Sequence, residues 1–259
     1  MSALRILIAD DHEVTRRGVR ALLENHPGWE VCGEAADGRE AIACAAQLKP
    51  DLVLLDIAMP NLNGIEATRQ ILRAAPETRV LILTMHDAEE LVREVLVAGA
   101  LGFLLKTDAG RDLVAAVEAL QEGRTFFTER VEQLVIDGYL HPHSESARPS
   151  RQALTPRERE IIQLLAEGKR TKEVANILQL SVKTAETHRS NVMRKLNAHS
   201  VVDLAYYAVQ HGIVHVSRMF STTRHYAQNP RQLATKEKKS VRASHEAFQN
   251  NSAGKFRSG

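Results

Sequence analysis

The sequence predicts an α/β fold class: a five-stranded doubly wound parallel sheet, followed by a small all-α helix-turn-helix domain. Three observations carry this. Short apolar runs with branched side chains recur five times between Leu4 and Leu105. Segments with a helical stripe separate them, and from Leu154 onward the pattern is wholly helical. Leu4–Ala9, ending in Asp10 and Asp11, has the length and composition of a buried strand. Runs at Glu30–Ala35, Leu52–Leu55, Val80–Leu83 and Gly102–Leu105 supply the other four. Between them, stripes such as Leu91/Val95/Ala98 and Leu113/Val117/Leu120 are apolar on one side only, which predicts helices lying on the sheet. Alternation of this kind requires parallel pairing with both faces covered, and chemistry then gathers beyond the carboxyl ends of the strands.

The domain boundaries follow from where the alternation stops. Residues 1–122 form the α/β domain and 123–150 a linker. A helix is predicted over Thr128–Leu140, before the polar, proline-containing stretch His141–Ser150. Residues 151–216 form the helical domain. It opens at Thr155-Pro-Arg-Glu158, a capping box with proline in the first turn, and Ile161, Ile162, Leu164 and Leu165 provide its buried stripe. Further helices are expected over Thr171–Leu178, Val182–Leu196 and Ser200–His211. Residues 217–259 are basic with few apolar positions and read as a disordered tail. Its lysines, Lys236, Lys238 and Lys239 among them, either add non-specific phosphate contacts or belong to a solvated extension with no specific role.

Composition removes several classes. Charged residues are 25% and hydrophobic ones 44% of the 259, as in soluble globular proteins. No apolar run reaches the roughly 20 residues of a membrane span, and Met1 to Asp10 is too short and acidic for a signal peptide, so a cytoplasmic protein without membrane association is expected. Cys32 and Cys44 sit in apolar stretches without metal-ligand spacing and read as core residues. The net charge of +2 conceals an asymmetry. Met1–Pro149 carries 15 Lys and Arg against 24 Asp and Glu, Ser150–Val216 carries 10 against 6, and Ser217–Gly259 carries 9 against 2. An acidic first part joined to a basic remainder is expected when only the second meets a polyanion.

Asp10, Asp11 and Asp56 each fall at or just past a strand end. Three carboxylates at one sheet edge repel unless a hard cation lies among them, and Mg²⁺ suits oxygen ligands of this type. Thr84 and Lys106 stand at two further strand ends. A hydroxyl and an ammonium there can hold the oxygens of a phosphoryl group placed on a carboxylate, so acyl phosphate chemistry is implied. As an ordered set, Asp10-Asp11, Asp56 to Gly64, Thr84 and Phe103-Leu-Leu-Lys106 resemble the receiver domain of two-component response regulators, over about Leu4–Leu120. The resemblance implies that Asp56 accepts the phosphoryl group. It further implies that Asp11 and Asp56 ligate Mg²⁺ with the Ala58 carbonyl while Asp10 acts through water, and that Thr84 and Phe103 form a switch. Thr107 stands where many receivers have proline, so no cis peptide is expected there.

Thr171–Leu196 reads as a helix-turn-helix with Ser181 capping the second helix. Val182, Ala185, His188, Val192 and Leu196 are expected to face the domain core; the opposite side carries hydrogen-bonding side chains of mixed type. Leu154-Thr-Pro-Arg-Glu-Arg-Glu160, Leu180-Ser-Val-Lys-Thr184 and Val192-Met-Arg-Lys-Leu196 resemble the LuxR-type DNA-binding domain, over about Leu154–Val214. By that resemblance Glu186, Thr187 and Ser190 read bases, and Lys183, Thr184 and Arg189 meet phosphates. The acid at 186 departs from the basic residues of some relatives. It either accepts from a cytosine amino group or weakens binding. The whole chain resembles the NarL/FixJ class of response regulators. That resemblance implies a transcription regulator and not an enzyme, a sensor histidine kinase as phosphodonor, double-stranded promoter DNA as target, and a homodimer when phosphorylated. A DNA-binding protein indifferent to phosphate is disfavoured by the complete acidic pocket. A phosphohydrolase is disfavoured because no insertion between strands provides a cap.

Overall fold

The computed structural model describes residues 3–86, 88–128, 131, 133 and 154–214, and all of them fall within one compact unit. The helix expected over Thr128–Leu140 lies almost wholly outside the described residues, as do the His141–Ser150 stretch and the basic tail. Five strands, β1 (Leu4–Ala9), β2 (Trp29–Ala35), β3 (Leu52–Leu55), β4 (Arg79–Thr84) and β5 (Gly102–Leu105), alternate with five helices. The helices are α1 (Glu13–Glu24), α2 (Gly38–Leu48), α3 (Gly64–Ala74), α4 (Glu89–Ala98) and α5 (Ala109–Gln121). Every pairing is parallel, in the order β2-β1-β3-β4-β5-β6. The sixth strand, β6 (Phe126–Phe127), corrects the five-stranded expectation. Two residues are too short to show a period, and their pairing is set by the open edge of β5.

Period-two alternation sorts each strand between two cores. Ile6, Ile8, Leu52, Leu54, Leu81 and Leu83 pack with Val19 and Leu23 of α1 and Leu113, Ala116 and Val117 of α5. Leu7, Ala9, Val53, Leu55, Val80, Ile82 and Phe103 face α2, α3 and α4. Strands covered on both faces read as continuous apolar runs, which is why they were visible in the sequence. No helix among the described residues is long and apolar enough to cross a membrane.

The helical domain consists of α6 (Pro156–Ala166), α7 (Thr171–Ile177), α8 (Val182–Lys195) and α9 (Val201–Gln210). The capping box opening α6 is formed: Thr155 Oγ1 accepts from Glu158 N–H, and Glu158 accepts from Thr155 N–H. Ser181 caps α8 through Thr184 N–H at 3.0 Å. Ala185 and Val192 of α8 pack into the core with Ile161, Leu164, Val174 and Leu204. Val182 does not follow them; it is 42% exposed, because the first turn of α8 lies beyond the edge of that core.

Helix α6 is buried from Glu160 through Glu167. One side packs on the helical core and the other meets the α/β domain. Arg39 Nη2 donates to Glu160 at 2.9 Å, Gln70 Nε2 donates to the same carboxylate at 3.0 Å, and Arg159 Nη1 pairs with Glu94 at 3.3 Å.

Candidate functional site: the carboxylate pocket and the exposed face of the second helix

The carboxyl ends of β1 and β3 are neighbours, and the chain leaves them toward opposite faces of the sheet, which opens a crevice between them. Asp10 follows β1 and Asp56 follows β3, and backbone bonds hold both in place. Asp10 N–H donates to Ala35 O at 3.1 Å and Asp56 N–H to Ala9 O at 2.8 Å. Lys106 leaves β5 with its N–H on Thr84 O at 2.8 Å, which ties the two remaining strand ends together. Its ammonium lies 2.7 Å from Asp10 Oδ2 and 2.8 Å from Asp56 Oδ2. The expected carboxylates Asp10, Asp11 and Asp56 do converge: with His12 they place ligand atoms within 4.8 Å of one another. His12 was not anticipated as a neighbour of the pocket. Its Nδ1 lies 3.0 Å from Asp11 Oδ1 and 3.3 Å from Asp10 Oδ1, and adjacency in sequence was the only signal.

Asp10 and Asp56 share one ammonium and Asp11 stands beside them, so negative charge is in excess. Asp10 and Asp56 are only 3% and 2% exposed. Burial pushes the Asp56 carboxyl above the usual carboxylate range; Lys106 opposes the shift and the Asp10 charge adds to it. For Lys106, burial favours the neutral amine, but two carboxylates outweigh it and hold the ammonium above the usual lysine value. Asp56 Oδ1 is buried, lies off the ammonium and has no side-chain donor, and the Ala58 backbone favours the charged form of the carboxylate. A buried carboxylate oxygen with no side-chain donor, beside excess negative charge, fits a hard divalent cation, and an oxygen off the ammonium can act as a nucleophile. Thr84 and Phe103 are fully buried behind this crevice, and Thr84 Oγ1 accepts from His86 N–H at 3.3 Å. The Phe103 ring already occupies an inward position.

The segment 57–63 leaves Asp56, carries Ala58, and is tightly cornered. A Cβ on Gly64 would stand 2.1 Å from Asp56 O, and one on Gly38 2.3 Å from Leu62 O, so only glycine lets the backbone pass at both places. Asn61 adopts φ 64°, and its Nδ2 donates to Asp37 Oδ2 at 2.8 Å. Asn63 caps α3 through Glu66 N–H at 2.9 Å.

On the helical domain, Lys183, Thr184, Glu186, Thr187 and Ser190 form an exposed face of α8. Arg189 is half-buried and donates to Thr171 Oγ1 at 3.2 Å, and the Thr187 hydroxyl donates to Lys183 O at 2.9 Å. The face offers cations, hydroxyls and one carboxylate without intervening apolar groups, a set suited to base edges and phosphates in a major groove.

Sequence reasoning missed Glu160, Gln163 and Glu167. At three- and four-residue spacing they read as a solvated stripe, yet they are 7%, 2% and 8% exposed. The only available signal was that apolar residues crowd both flanks of this stripe.

Comparison with known proteins gives two family matches. Residues 6–118 match the response regulator receiver domain, and residues 152–208 match the bacterial regulatory proteins of the luxR family. The chain is 38% identical over 211 residues to the transcriptional regulatory protein LiaR of Bacillus subtilis, covering 82% of this chain and 99% of that protein. It is 32% identical over 218 residues to the response regulator UvrY of Escherichia coli, covering 84% and 99%. Among solved structures it resembles RcsB of Salmonella enterica serovar Typhimurium bound to promoter rprA in the presence of the phosphomimetic BeF₃⁻. That match has 29% identity and a TM-score of 0.52, covering 80% of this chain and 98% of the other.

Proposed function

Because the chain belongs to the NarL/FixJ class of response regulators, which join a receiver domain to a LuxR-type DNA-binding domain, we propose that a sensor histidine kinase phosphorylates it on Asp56. We propose equally that α8 reads double-stranded promoter DNA. At the level of the family it is a phosphorylation-regulated, DNA-binding transcription regulator. The observation that supports Asp56 over Asp10 is that Asp56, 2% exposed, meets the shared ammonium through Oδ2 alone and keeps Oδ1 off it, whereas Asp10 has Oδ1 on His12 N–H and Oδ2 on the ammonium.

In this reading Asp11, Asp56 and the Ala58 carbonyl hold Mg²⁺, with Asp10 acting through water. Bound there, the cation supplies positive charge to the phosphoryl oxygens. The Asp56 oxygen forms the new bond to phosphorus as the bond to the donor breaks. Lys106 faces the charge that develops, and the Thr84 hydroxyl donates to a phosphoryl oxygen with Phe103 packed behind it. On DNA, Lys183, Thr184 and Arg189 meet phosphates, and Glu186, Thr187 and Ser190 face base edges. Phosphorylated chains pair as a homodimer in the cytoplasm, and the pair occupies half-sites related by two-fold symmetry.

The test uses duplexes obtained by affinity selection on the full chain. Acetyl phosphate with Mg²⁺ together should tighten binding, and neither alone should. Lys183→Ala should weaken binding evenly across sequences and reduce the salt slope by about one. Unchanged affinity in a chain shown to be fully phosphorylated would overturn the reading.

A further inference from the structure

An irregularity in the pairing of β1 with β2 decides which side chains of β2 meet α1. Ile6 opposes Val31 and Leu7 opposes Gly33, so Cys32 is an extra residue, and its thiol donates to Ile6 O at 3.4 Å. A bulge of this kind turns every later side chain to the other face of the strand. Glu34, opposite Ile8, is thereby brought to the α1 side, while Ala35 joins the core shared with α2. Arg16 and Arg20, one helical turn apart on α1, close on Glu34. Arg20 Nε donates to its Oε1 at 2.6 Å and Arg16 Nε to its Oε2 at 3.1 Å. Arg20 foremost, and Arg16 with it, hold the Glu34 carboxyl below the usual carboxylate range, so both bonds persist at neutral pH.

Arg16 makes a further bond, toward the pocket. Its Nη1 donates to Asp10 O at 2.6 Å, and its side chain is only 15% exposed. Asp10 O lies just past the end of β1, and its peptide leads into Asp11. A peptide unit is planar, so fixing Asp10 O fixes the plane from which Asp11 departs. The other polar groups of Asp10 are tied to Ala35 O, His12 N–H and Lys106, and none of these bonds acts on that peptide. We propose that Arg16 is a positioning residue for the metal: clamped between Glu34 and Asp10 O, it holds the Asp11 carboxylate in the direction that a cation in the pocket requires. The proposal rests on the reading of Asp11 and Asp56 as ligands of a divalent cation. Its sign is the reverse of what charge alone would give. A guanidinium is a cation near a cation site, so deleting it would tighten metal binding if only its field mattered. If its bonds matter, deletion frees the ligand and weakens binding, and partners that orient metal ligands are worth about 10–100-fold in affinity.

The probe is Mn²⁺ alone, which suits carboxylate and carbonyl ligands as Mg²⁺ does. It is added to the full-length chain, free ion is counted by electron paramagnetic resonance, and folding is checked by melting in chelator. Arg16→Met should weaken binding about tenfold. Arg16→Lys keeps the charge but lacks the fork that reaches both partners, and should weaken binding by about threefold or more. It carries the test by itself should Arg16→Met fold poorly. Arg17→Met removes an equal charge from the next position, which is 76% exposed and paired with Glu13, and should stay within about twofold of the wild type. Unchanged or tighter binding by a folded Arg16→Met chain overturns the proposal, as does wild-type affinity in Arg16→Lys. Asp11→Asn separates this from the reading beneath it. If that variant loses Mn²⁺ while the Arg16 variants bind as the wild type does, the metal site stands and the positioning fails. If Asp11→Asn binds as the wild type does, Asp11 is no ligand and both fail.

Discussion

The Asp56→Asn chain is expected to take up no phosphoryl group from acetyl phosphate and Mg²⁺, and to lose all stimulus-dependent DNA binding, while folding more stably than the wild type. The first loss follows because, of the two buried carboxylates on the Lys106 ammonium, Asp10 has Oδ1 on His12 N–H at 2.8 Å and Oδ2 on the ammonium at 2.7 Å, whereas Asp56 meets the ammonium through Oδ2 alone and keeps Oδ1 away from it. The gain in stability follows from the direction of the Asp56 shift. A carboxyl held above its unfolded value penalises the fold wherever it is ionised. The penalty is absent below the unfolded value, grows between the unfolded and folded values, and is complete above them. Removing the charge should therefore raise the melting temperature at neutral pH in metal-free buffer, and the difference should vanish in acid. Phosphate uptake by the variant in mass spectrometry would remove Asp56 from its role; a lowered melting temperature at neutral pH would mean that the ion pair outweighs burial.

Replacing Lys106 with Met should have the opposite effect on stability and a larger one. Asp10 and Asp56 lose their shared cation while 4% and 2% of their side chains remain exposed, and breaking a buried pair on one side costs about 3–5 kcal/mol. The Lys106 ammonium is held above its unfolded value. Its contribution is thus complete below that value and is lost as pH rises through the folded one. Urea unfolding in chelator should show the full deficit near neutrality and a shrinking one in strong alkali. Millimolar Mg²⁺ should recover part of it by returning positive charge to the carboxylates. A deficit below about 1 kcal/mol in chelator would show that water already screens the pocket.

Much of this was legible in the residues. The strands were visible because a sheet covered on both faces needs uninterrupted apolar runs, and the pocket because strand-end residues of a parallel sheet share one edge. Asp10, Asp56 and Lys106 lie far apart in sequence but only 2.7 and 2.8 Å apart through the ammonium. What escaped depended on contacts that leave no period. β6 takes its pairing from the edge of β5. Glu160, Gln163 and Glu167 look solvated until a second domain supplies partners for them, since periodicity reports which face of a helix is apolar and not what covers the other. Val182 fits the apolar stripe by spacing, yet the core ends before it reaches that turn.

The contact that α6 makes with the α/β domain, at segment 57–63, also bears on how interchangeable such domains are. It is built from matched pieces: the backbone positions of Met59, Asn61 and Asn63 on one side and the amide and carboxylate of Gln163 and Glu167 on the other. A chimera spliced in the linker would carry one half of this fit against a foreign counterpart. Its output would then be set by the mismatch, however intact each domain was. Grafting a new sensor input onto this DNA-binding domain therefore calls for transplanting Gly38, the stretch from Ile57 to Gly64 and the buried stripe of α6 as a single inherited unit.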